Sequence, residues 1–270
     1  MQKKLFEKNI KFFVKKLVKH SSTDNGDWTV KGFIDAYENV FSISSDTKIV
    51  SKILEIHLFP KILRFAEDNN FNLVLAKHQN YYPDISLVSC DDAKIKYALD
   101  FKTTYRVNTH KCNGFTLGSH GKYFQDRTST KNIQFPYSEY SGHYCLGIIY
   151  DRNDFSIDET KQYKLSDIQS IPSVISNIEF FVEEKWKIAS DKGGSGNTAN
   201  IGSIKDIEKI KLGKGTFSEL GESWFDDYWM NYGNISIKDD KGKTKKITSL
   251  KEFLNFKGVD IKTLIENKSD

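Results

Sequence analysis

The chain has 270 residues, of which 38% are hydrophobic, 28% charged and 13% aromatic, and its formal net charge at pH 7 is +4. This composition excludes an intrinsically disordered chain, and the length is sufficient for a substantial core in one or two domains. The small positive charge permits a polyanionic partner without requiring one.

Cysteine usage and hydropathy favour a reduced, cytoplasmic location. The three cysteines, Cys90, Cys112 and Cys145, are odd in number and form no C-x-x-C pair. His110 and His143 precede two of them, but their spacings fit no usual zinc site, and strand alternation explains both pairs. We expect no membrane span, because no apolar run reaches 18 residues. Lysines interrupt the N-terminal apolar stretches, so no secretory leader is expected either.

The N-terminal part of the chain predicts two helices with short strands between them. Apolar residues at helical spacing predict an amphipathic first helix that ends at the polar cluster 21–26. Residues 28–43 mix aromatic and β-branched side chains, which is typical of short strands. Residues 44–46 supply N-cap candidates for a second helix that runs to about Glu67, and Pro60 is expected to kink or divide it.

The second helix is expected to bury one stripe of side chains. Its predicted apolar positions are Ile49, Val50, Ile53, Leu54, Ile56 and Leu63. Glu55 lies on another stripe, away from these positions.

Residues 84–106 predict a β-hairpin around the polar turn 89–94. The odd-numbered positions are apolar, whereas Asp84, Asp100 and Lys102 fall on the even-numbered face. If the turn is centred near Asp92, residues whose numbers add up to 184 lie opposite each other, so Asp84 faces Asp100.

Two carboxylates that face each other across a sheet repel, and a cation between them would remove that cost. Together with Lys102 they predict the centre of a metal-dependent nuclease. The alternative is an ordinary half-exposed hairpin whose charges lie on its wet face. The tripeptide Asp-x-Lys alone is uninformative, because it also occurs at Asp46/Lys48, Asp92/Lys94, Asp239/Lys241 and Asp260/Lys262.

The rest of the chain predicts an α/β or α+β fold around a mixed sheet. Residues 143–151 and 178–190 are predicted to form buried strands. Residues 225–232 are aromatic and predicted to be helical, and residues 238–246 form a charged turn.

A glycine-rich segment, residues 193–200, follows the second of these strands. It matches neither a Walker A loop nor a dinucleotide-binding fingerprint. It is either a flexible surface linker or a loop that enters a DNA groove, where an Asn amide can bond adenine and a Thr methyl can contact thymine. Gln79 and Asn80 would form a second polar loop beside Asp84.

Taken together, these segments resemble the EcoRV family of type II restriction endonucleases. The similarity extends from about residue 32 to residue 232, and its motifs occur in the same order. They are Ser45-Asp46-Thr47-Lys48, Gln79-Asn80, Tyr82-Pro83-Asp84, Asp100-Phe101-Lys102-Thr103-Thr104-Tyr105, Phe115-Thr116-Leu117-Gly118, Thr130-Lys131-Asn132-Ile133, Gly194-Ser195-Gly196-Asn197-Thr198 with Asn200-Ile201-Gly202-Ser203, and Asp227-Tyr228-Trp229 with Asn231-Tyr232.

This resemblance implies a single domain over residues 1–270 with the restriction-endonuclease-like fold, a central mixed β-sheet flanked by helices. It implies the chemistry of the PD-(D/E)xK nucleases, in which Asp84 and Asp100 bind Mg²⁺ and Lys102 orients or helps deprotonate the attacking water. Glu55 matches an auxiliary catalytic and metal-binding carboxylate. The products would carry 5′-phosphate and 3′-hydroxyl ends.

The resemblance also implies how DNA is bound. Residues 193–200 match a major-groove loop, in which Asn197 contacts adenine and the Gly194 and Gly196 backbone contacts guanine. Residues 78–80 match a minor-groove loop. The full set of implied DNA-binding residues is Thr47, Lys48, His78, Gln79, Asn80, Thr103, Thr104, Lys131, Gly194, Ser195, Gly196, Asn197, Thr198 and Asn200.

The family acts on double-stranded DNA as a homodimer, and its target is the palindrome GATATC, cut bluntly at a central step that kinks easily. Residues near 29–42 would form the dimer interface, and a protective DNA methyltransferase is expected in the host. His78 replaces a glutamine, Met230 replaces a basic residue, and the segment 119–129 is about two residues longer than its counterpart. The alternatives are a nuclease-fold protein that binds DNA without cutting it, and a structure-specific repair nuclease.

Overall fold

A computed structural model describes residues 2–153, 158–194, 199–238 and 242–260. The helices are α1 (Gln2–Ser21), α2 (Thr47–Asp68), α3 (Lys185–Ile188), α4 (Ile207–Lys211), α5 (Glu222–Asn231) and α6 (Leu250–Phe256). The strands are β1 (Gly32–Ile34), β2 (Asn39–Ser42), β3 (Phe71–Leu75), β4 (Ile85–Ser89), β5 (Lys96–Asn108), β6 (Lys111–Cys112), β7 (Thr116–Ser119), β8 (Gly142–Arg152), β9 (Gln162–Lys164), β10 (Ile175–Glu184), β11 (Ala189–Gly193), β12 (Asn200–Ser203), β13 (Ser236–Lys238) and β14 (Thr244–Lys246).

The central sheet has the strand order β10-β8-β5-β4-β3, and β6 pairs with the far end of β5. Strands β5 and β8 run parallel, whereas the other neighbours in this sheet are antiparallel. The sheet is therefore mixed, as predicted, and the α/β fold class is confirmed.

Helices cover both faces of this sheet. On one face α1 and α2 pack on the odd-numbered side chains of the hairpin, including Leu87, Tyr97 and Leu99. On the other face, residues of α4, α5 and α6 share a largely aromatic core with Ala98 of β5. Both faces of the hairpin are thus buried, as is usual for a sheet with parallel strands. The alternative of a half-exposed hairpin with a wet charged face is wrong.

Helix α2 begins directly after Asp46, one of the predicted N-cap residues. The Asp46 carboxylate accepts the backbone N–H groups of Lys48 and Ile49 at 2.9 and 3.2 Å. The helix continues through Pro60 to Asp68, so the prediction that proline divides it is wrong. Pro60 lies on the exposed face, where water can bond the carbonyl that lacks a backbone donor.

The predicted apolar stripe of α2 needs correction. Ile49, Ile56 and Leu63 are 44%, 55% and 47% exposed. The buried side chains are Val50, Leu54, Leu58, Ile62, Phe65 and Ala66. The prediction is therefore correct for Val50 and Leu54 and wrong for Ile49, Ile56 and Leu63, because the row that faces the sheet continues through Leu58 and Ile62.

The predicted strand 178–190 is only partly correct. Strand β10 ends at Glu184, the short helix α3 turns the chain, and β11 joins a separate sheet of order β11-β12-β7. The charged segment 238–246 is a hairpin of β13 and β14, with residues 239–241 outside the described part. Within the described residues, no helix combines the length and the apolar character needed to cross a membrane.

Candidate active site

The β4–β5 register brings the two aspartates together. Ile85 pairs with Leu99 and Ser86 with Ala98, so paired residue numbers add up to 184 as predicted. Asp84 immediately precedes β4, and its Oδ2 accepts the backbone N–H of Phe101 at 2.7 Å. This bond holds the Asp84 carboxylate against the strand that carries Asp100.

Lys102 completes a compact charged group with the aspartates. Its Nζ lies 2.5 Å from Asp100 Oδ2 and donates to the Phe101 carbonyl at 3.1 Å. Burial alone would lower the pKa of Lys102, but the negative charges of Asp100 and Asp84 outweigh burial and raise it above its ordinary value. Lys102 is therefore a cation in the free protein.

The single ammonium does not balance the two carboxylates. Burial, reinforced by the negative charge of Asp100, raises the pKa of Asp84 to about 7, although Lys102 and the Phe101 N–H act in the opposite direction. A divalent cation would relieve this unfavourable charge. Two carboxylates with room for waters and a phosphate are a donor set that suits a hard, oxygen-preferring ion. The residues present therefore fit a divalent cation.

Glu55 is not brought into the carboxylate pair. Its Oε1 lies 2.7 Å from Lys52 Nζ on the same helix. The described part of the chain contains no group of three or more His, Cys, Asp or Glu side chains able to hold a metal ion. The negative charge of Glu55 nevertheless contributes to the raised pKa of Asp84, so Glu55 lies within electrostatic reach of the aspartate pair.

Three of the four catalytic candidates, all except Glu55, line a cleft of about 450 Å³ together with several predicted DNA-binding residues. Its lining includes Asp84, Asp100, Lys102, Gln79, Asn80 and Asn200. His78 is not part of this lining, and its ring packs edge-on against Tyr81, 4.8 Å between ring centroids. Residues far apart in the chain therefore meet around one carboxylate pair.

A second cleft of about 630 Å³ adjoins the first, because Lys102 and Gly118 line both. Thr47, Thr103 and Thr104 line it, although Thr104 is otherwise buried. Lys48 and Lys131 are exposed, and Asn132, next to Lys131, lines the first cleft. Each of these predicted DNA-binding residues lines the second cleft or is next in the chain to a residue that lines one of the two clefts.

The glycine-rich loop starts and ends beside the first cleft. The Gly194 N–H donates to the Asn200 carbonyl at 2.7 Å, and the His120 N–H donates to Ala199 at 2.8 Å. A Cβ on Gly194 would lie 3.1 Å from Thr116 Oγ1, so little space exists for a side chain there. The predicted base-contacting residues Ser195, Gly196, Asn197 and Thr198 lie outside the described residues.

Sequence reasoning missed Lys122, Tyr123 and Asn132 in the cleft lining. Asn132 is held there because its carbonyl accepts the Tyr82 N–H at 3.1 Å, and Gln134 N–H returns a bond to the Tyr82 carbonyl at 2.8 Å. No local pattern marks this pairing. The motif Thr130-Lys131-Asn132-Ile133 was the one available signal.

The central mixed sheet is covered by helices on both faces and carries two aspartates and a lysine at a polar cleft. This arrangement is that of a nuclease with the restriction-endonuclease fold. The family model described as "Restriction endonuclease EcoRV" matches residues 24–258. The type II restriction enzyme EcoRV of Escherichia coli is 36% identical over 220 residues, which cover 81% of this chain and 88% of that protein. The chain belongs to the EcoRV family of type II restriction endonucleases, site-specific deoxyribonucleases that generally use divalent metal ions.

Proposed function

We propose that this enzyme cuts both strands of DNA at the palindrome GATATC, with Mg²⁺, to leave blunt 5′-phosphate and 3′-hydroxyl ends. The observation that carries the proposal is the single cleft lined by Asp84, Asp100 and Lys102 together with Gln79, Asn80 and Asn200. Groups suited to phosphate chemistry and groups suited to base edges therefore act on the same short stretch of DNA.

Asp84 and Asp100 are proposed to hold the ion, and Glu55 to support them as an auxiliary carboxylate. A bound divalent cation would activate a water and neutralise charge on the scissile phosphate. Lys102, whose pKa is raised, enters the reaction protonated. Its role is therefore to orient the phosphate and the attacking water, in preference to acting as the first base.

DNA recognition is divided between two loops in this proposal. Gln79 and Asn80 are assigned to the minor groove, and the loop from Gly194 to Asn200 is assigned to the major groove. Thr47, Lys48, Thr103, Thr104 and Lys131 contact phosphates, which fixes the position of the protein on the duplex without reading sequence. His78 is exposed but does not line the cleft, so it is proposed to contact DNA outside the cleft.

Two plasmids that differ only in one GATATC site test the function. With Mg²⁺ the enzyme is expected to linearise only the plasmid with the site, and with EDTA it is expected to cut neither. Sequencing of the products maps the cut and shows whether the ends are blunt. Equal cutting of both plasmids would refute the specificity and favour a structure-specific nuclease. Binding without cutting would favour the non-cleaving alternative.

We also propose that the enzyme acts as a homodimer through residues 29–42. Phe33, Ile34 and Tyr37 are 62%, 53% and 85% exposed in the single chain, which leaves an apolar patch along the edge strand β1 and the turn that follows it. Burial of this patch against a second copy would place two active sites on the two strands of a palindrome.

Phe33→Glu is expected to weaken the dimer at least about tenfold, because a carboxylate would be buried in an apolar interface. Sedimentation equilibrium over a range of protein concentrations measures the dissociation constant. Leu212→Glu is the matched control, since Leu212 is equally exposed, at 61%, but lies after α4 and away from the patch. A dimer that tolerates Phe33→Glu as well as Leu212→Glu would rule out this interface.

A further inference from the structure

Lys185, the first residue of α3, is a buried lysine. The residue is 3% exposed, and its Nζ has no hydrogen-bond partner within the described ranges. Burial of an unpaired ammonium ion is costly, so such a group is rare in a protein interior. The proposed mechanism makes no use of it.

Aromatic rings surround this ammonium. Its Nζ lies 5.2 Å from the ring centroids of Tyr82 and Phe124 and 5.5 Å from that of Tyr137. Cation–π attraction offsets part of the cost of burial and fixes the position of the charge. Tyr82 is itself held, because its hydroxyl lies 3.0 Å from His143 Nδ1.

The ammonium lies directly beneath the floor of the first cleft. A Cβ on Gly118 would be 3.6 Å from Lys185 Nζ, and Gly118 and Tyr82 line the cleft beside Asp84 and Asp100. Because Gly118 has no side chain, the charge is separated from the cleft by little more than backbone and ring atoms.

Charged groups face Lys185 from several directions. Asp100 and Asp226 attract the ammonium, whereas Lys102 and Arg127 repel it. Burial lowers the pKa of Lys185 to about 8, so the side chain is still mainly charged at neutral pH. In a medium of low dielectric constant this charge acts over several ångströms.

We propose that Lys185 is a positioning residue that sets the charge of the cleft floor, attracting the DNA phosphate and opposing a divalent cation until the phosphate is present. The proposal rests on the proposed function of this cleft. Lys185 contacts neither the phosphate nor the ion, and it acts through space on the site formed by Asp84, Asp100 and Lys102. Its effects on the two ligands are therefore opposite in sign.

Two binding measurements without cleavage test these opposite signs. Isothermal titration calorimetry gives the affinity for Ca²⁺ in the absence of DNA, and fluorescence anisotropy gives the affinity for a GATATC duplex in EDTA. Lys185→Met and Lys185→Gln are each expected to bind Ca²⁺ about three- to tenfold more tightly and DNA about three- to tenfold more weakly than the wild type. Lys185→Arg keeps the charge and is expected to stay within about twofold of the wild type for both ligands.

Lys187→Met is the matched control, because Lys187 lies on the same short helix but pairs with Glu184 at 2.8 Å. It is expected to change neither affinity. Damage to the fold would weaken the binding of both Ca²⁺ and DNA, and that outcome would overturn the proposal. Unchanged affinities in both neutral variants, or the loss of their folded circular dichroism spectrum, would also overturn it. A wild-type protein that bound neither Ca²⁺ nor DNA would instead refute the proposed function.

Discussion

Replacement of Asp100 by asparagine is expected to slow DNA cleavage by a factor on the order of a thousand or more. Asparagine keeps the shape of the side chain but removes the charge that faces Asp84 and lies 2.5 Å from Lys102 Nζ. The variant loses a ligand for the cation and the partner that orients the ammonium. Single-turnover cleavage of a supercoiled plasmid at saturating enzyme measures the change in the chemical step.

The chain supplies its own control for this substitution. Asp92 belongs to another Asp-x-Lys tripeptide, in the exposed hairpin turn, where its carboxylate accepts the Lys94 N–H at 2.9 Å. Asp92→Asn is expected to cleave at the wild-type rate. Lys102→Met, in the same assay, is expected to lose cleavage while it stays folded. If Asp100→Asn cut DNA nearly as fast as the wild type, Asp100 would have no place in the metal site.

The hairpin register could be predicted because its determinants are local. Alternation of side chains and the position of the turn near Asp92 are enough to set Asp84 opposite Asp100. Burial of both hairpin faces could not be predicted in this way. The second face is covered by side chains such as Phe225 and Phe253, which lie more than a hundred residues further along the chain.

In helix α2, hydrophobic periodicity alone does not determine which face of the helix is buried. Ile49, Ile56 and Leu63 recur every seven residues, and Val50, Leu54, Leu58 and Ile62 recur every four, so both rows are consistent with a helix. Packing against the sheet selects the second row, and this rotation also determines where Glu55 points. The short helix at Lys185 broke a predicted strand for a similar reason, because a β-branched and aromatic run carries no signal for a one-turn helix.

Site residues that are far apart in the chain could be identified only from the family resemblance or from the structure itself. Gln79, Asp100 and Asn200 line one cleft although they span more than a hundred positions. The resemblance supplied the two recognition loops as candidates. It supplied no role for Lys185, which the sequence alone does not distinguish from the other lysines around it.

The second large effect is expected on stability when no divalent cation is present. The pKa of Asp84 is about 7 in the folded protein, above its ordinary value of 3.8, because of burial and the charge of Asp100. The folded state therefore holds a proton that the unfolded state releases between about pH 4 and pH 7. Stability from this group is fully present below pH 3.8 and is lost as the pH rises through 7. The loss is on the order of 4 kcal/mol in the free energy of unfolding.

Asp84→Asn carries no charge at any of these pH values, so in EDTA it is expected to lack this loss and to exceed the wild type in stability at pH 8. Urea unfolding at a series of pH values from 5 to 8 measures the difference, and Asp92→Asn should keep the wild-type dependence. Addition of Ca²⁺ should reverse the order at pH 8, because an ion that binds only the folded state stabilises the wild type and not a variant with one ligand fewer. If the free energy of unfolding depended on pH in the same way for the wild type and Asp84→Asn in EDTA, the two carboxylates would not repel each other measurably in the folded protein. The case for a cation between Asp84 and Asp100 would then lose its electrostatic basis.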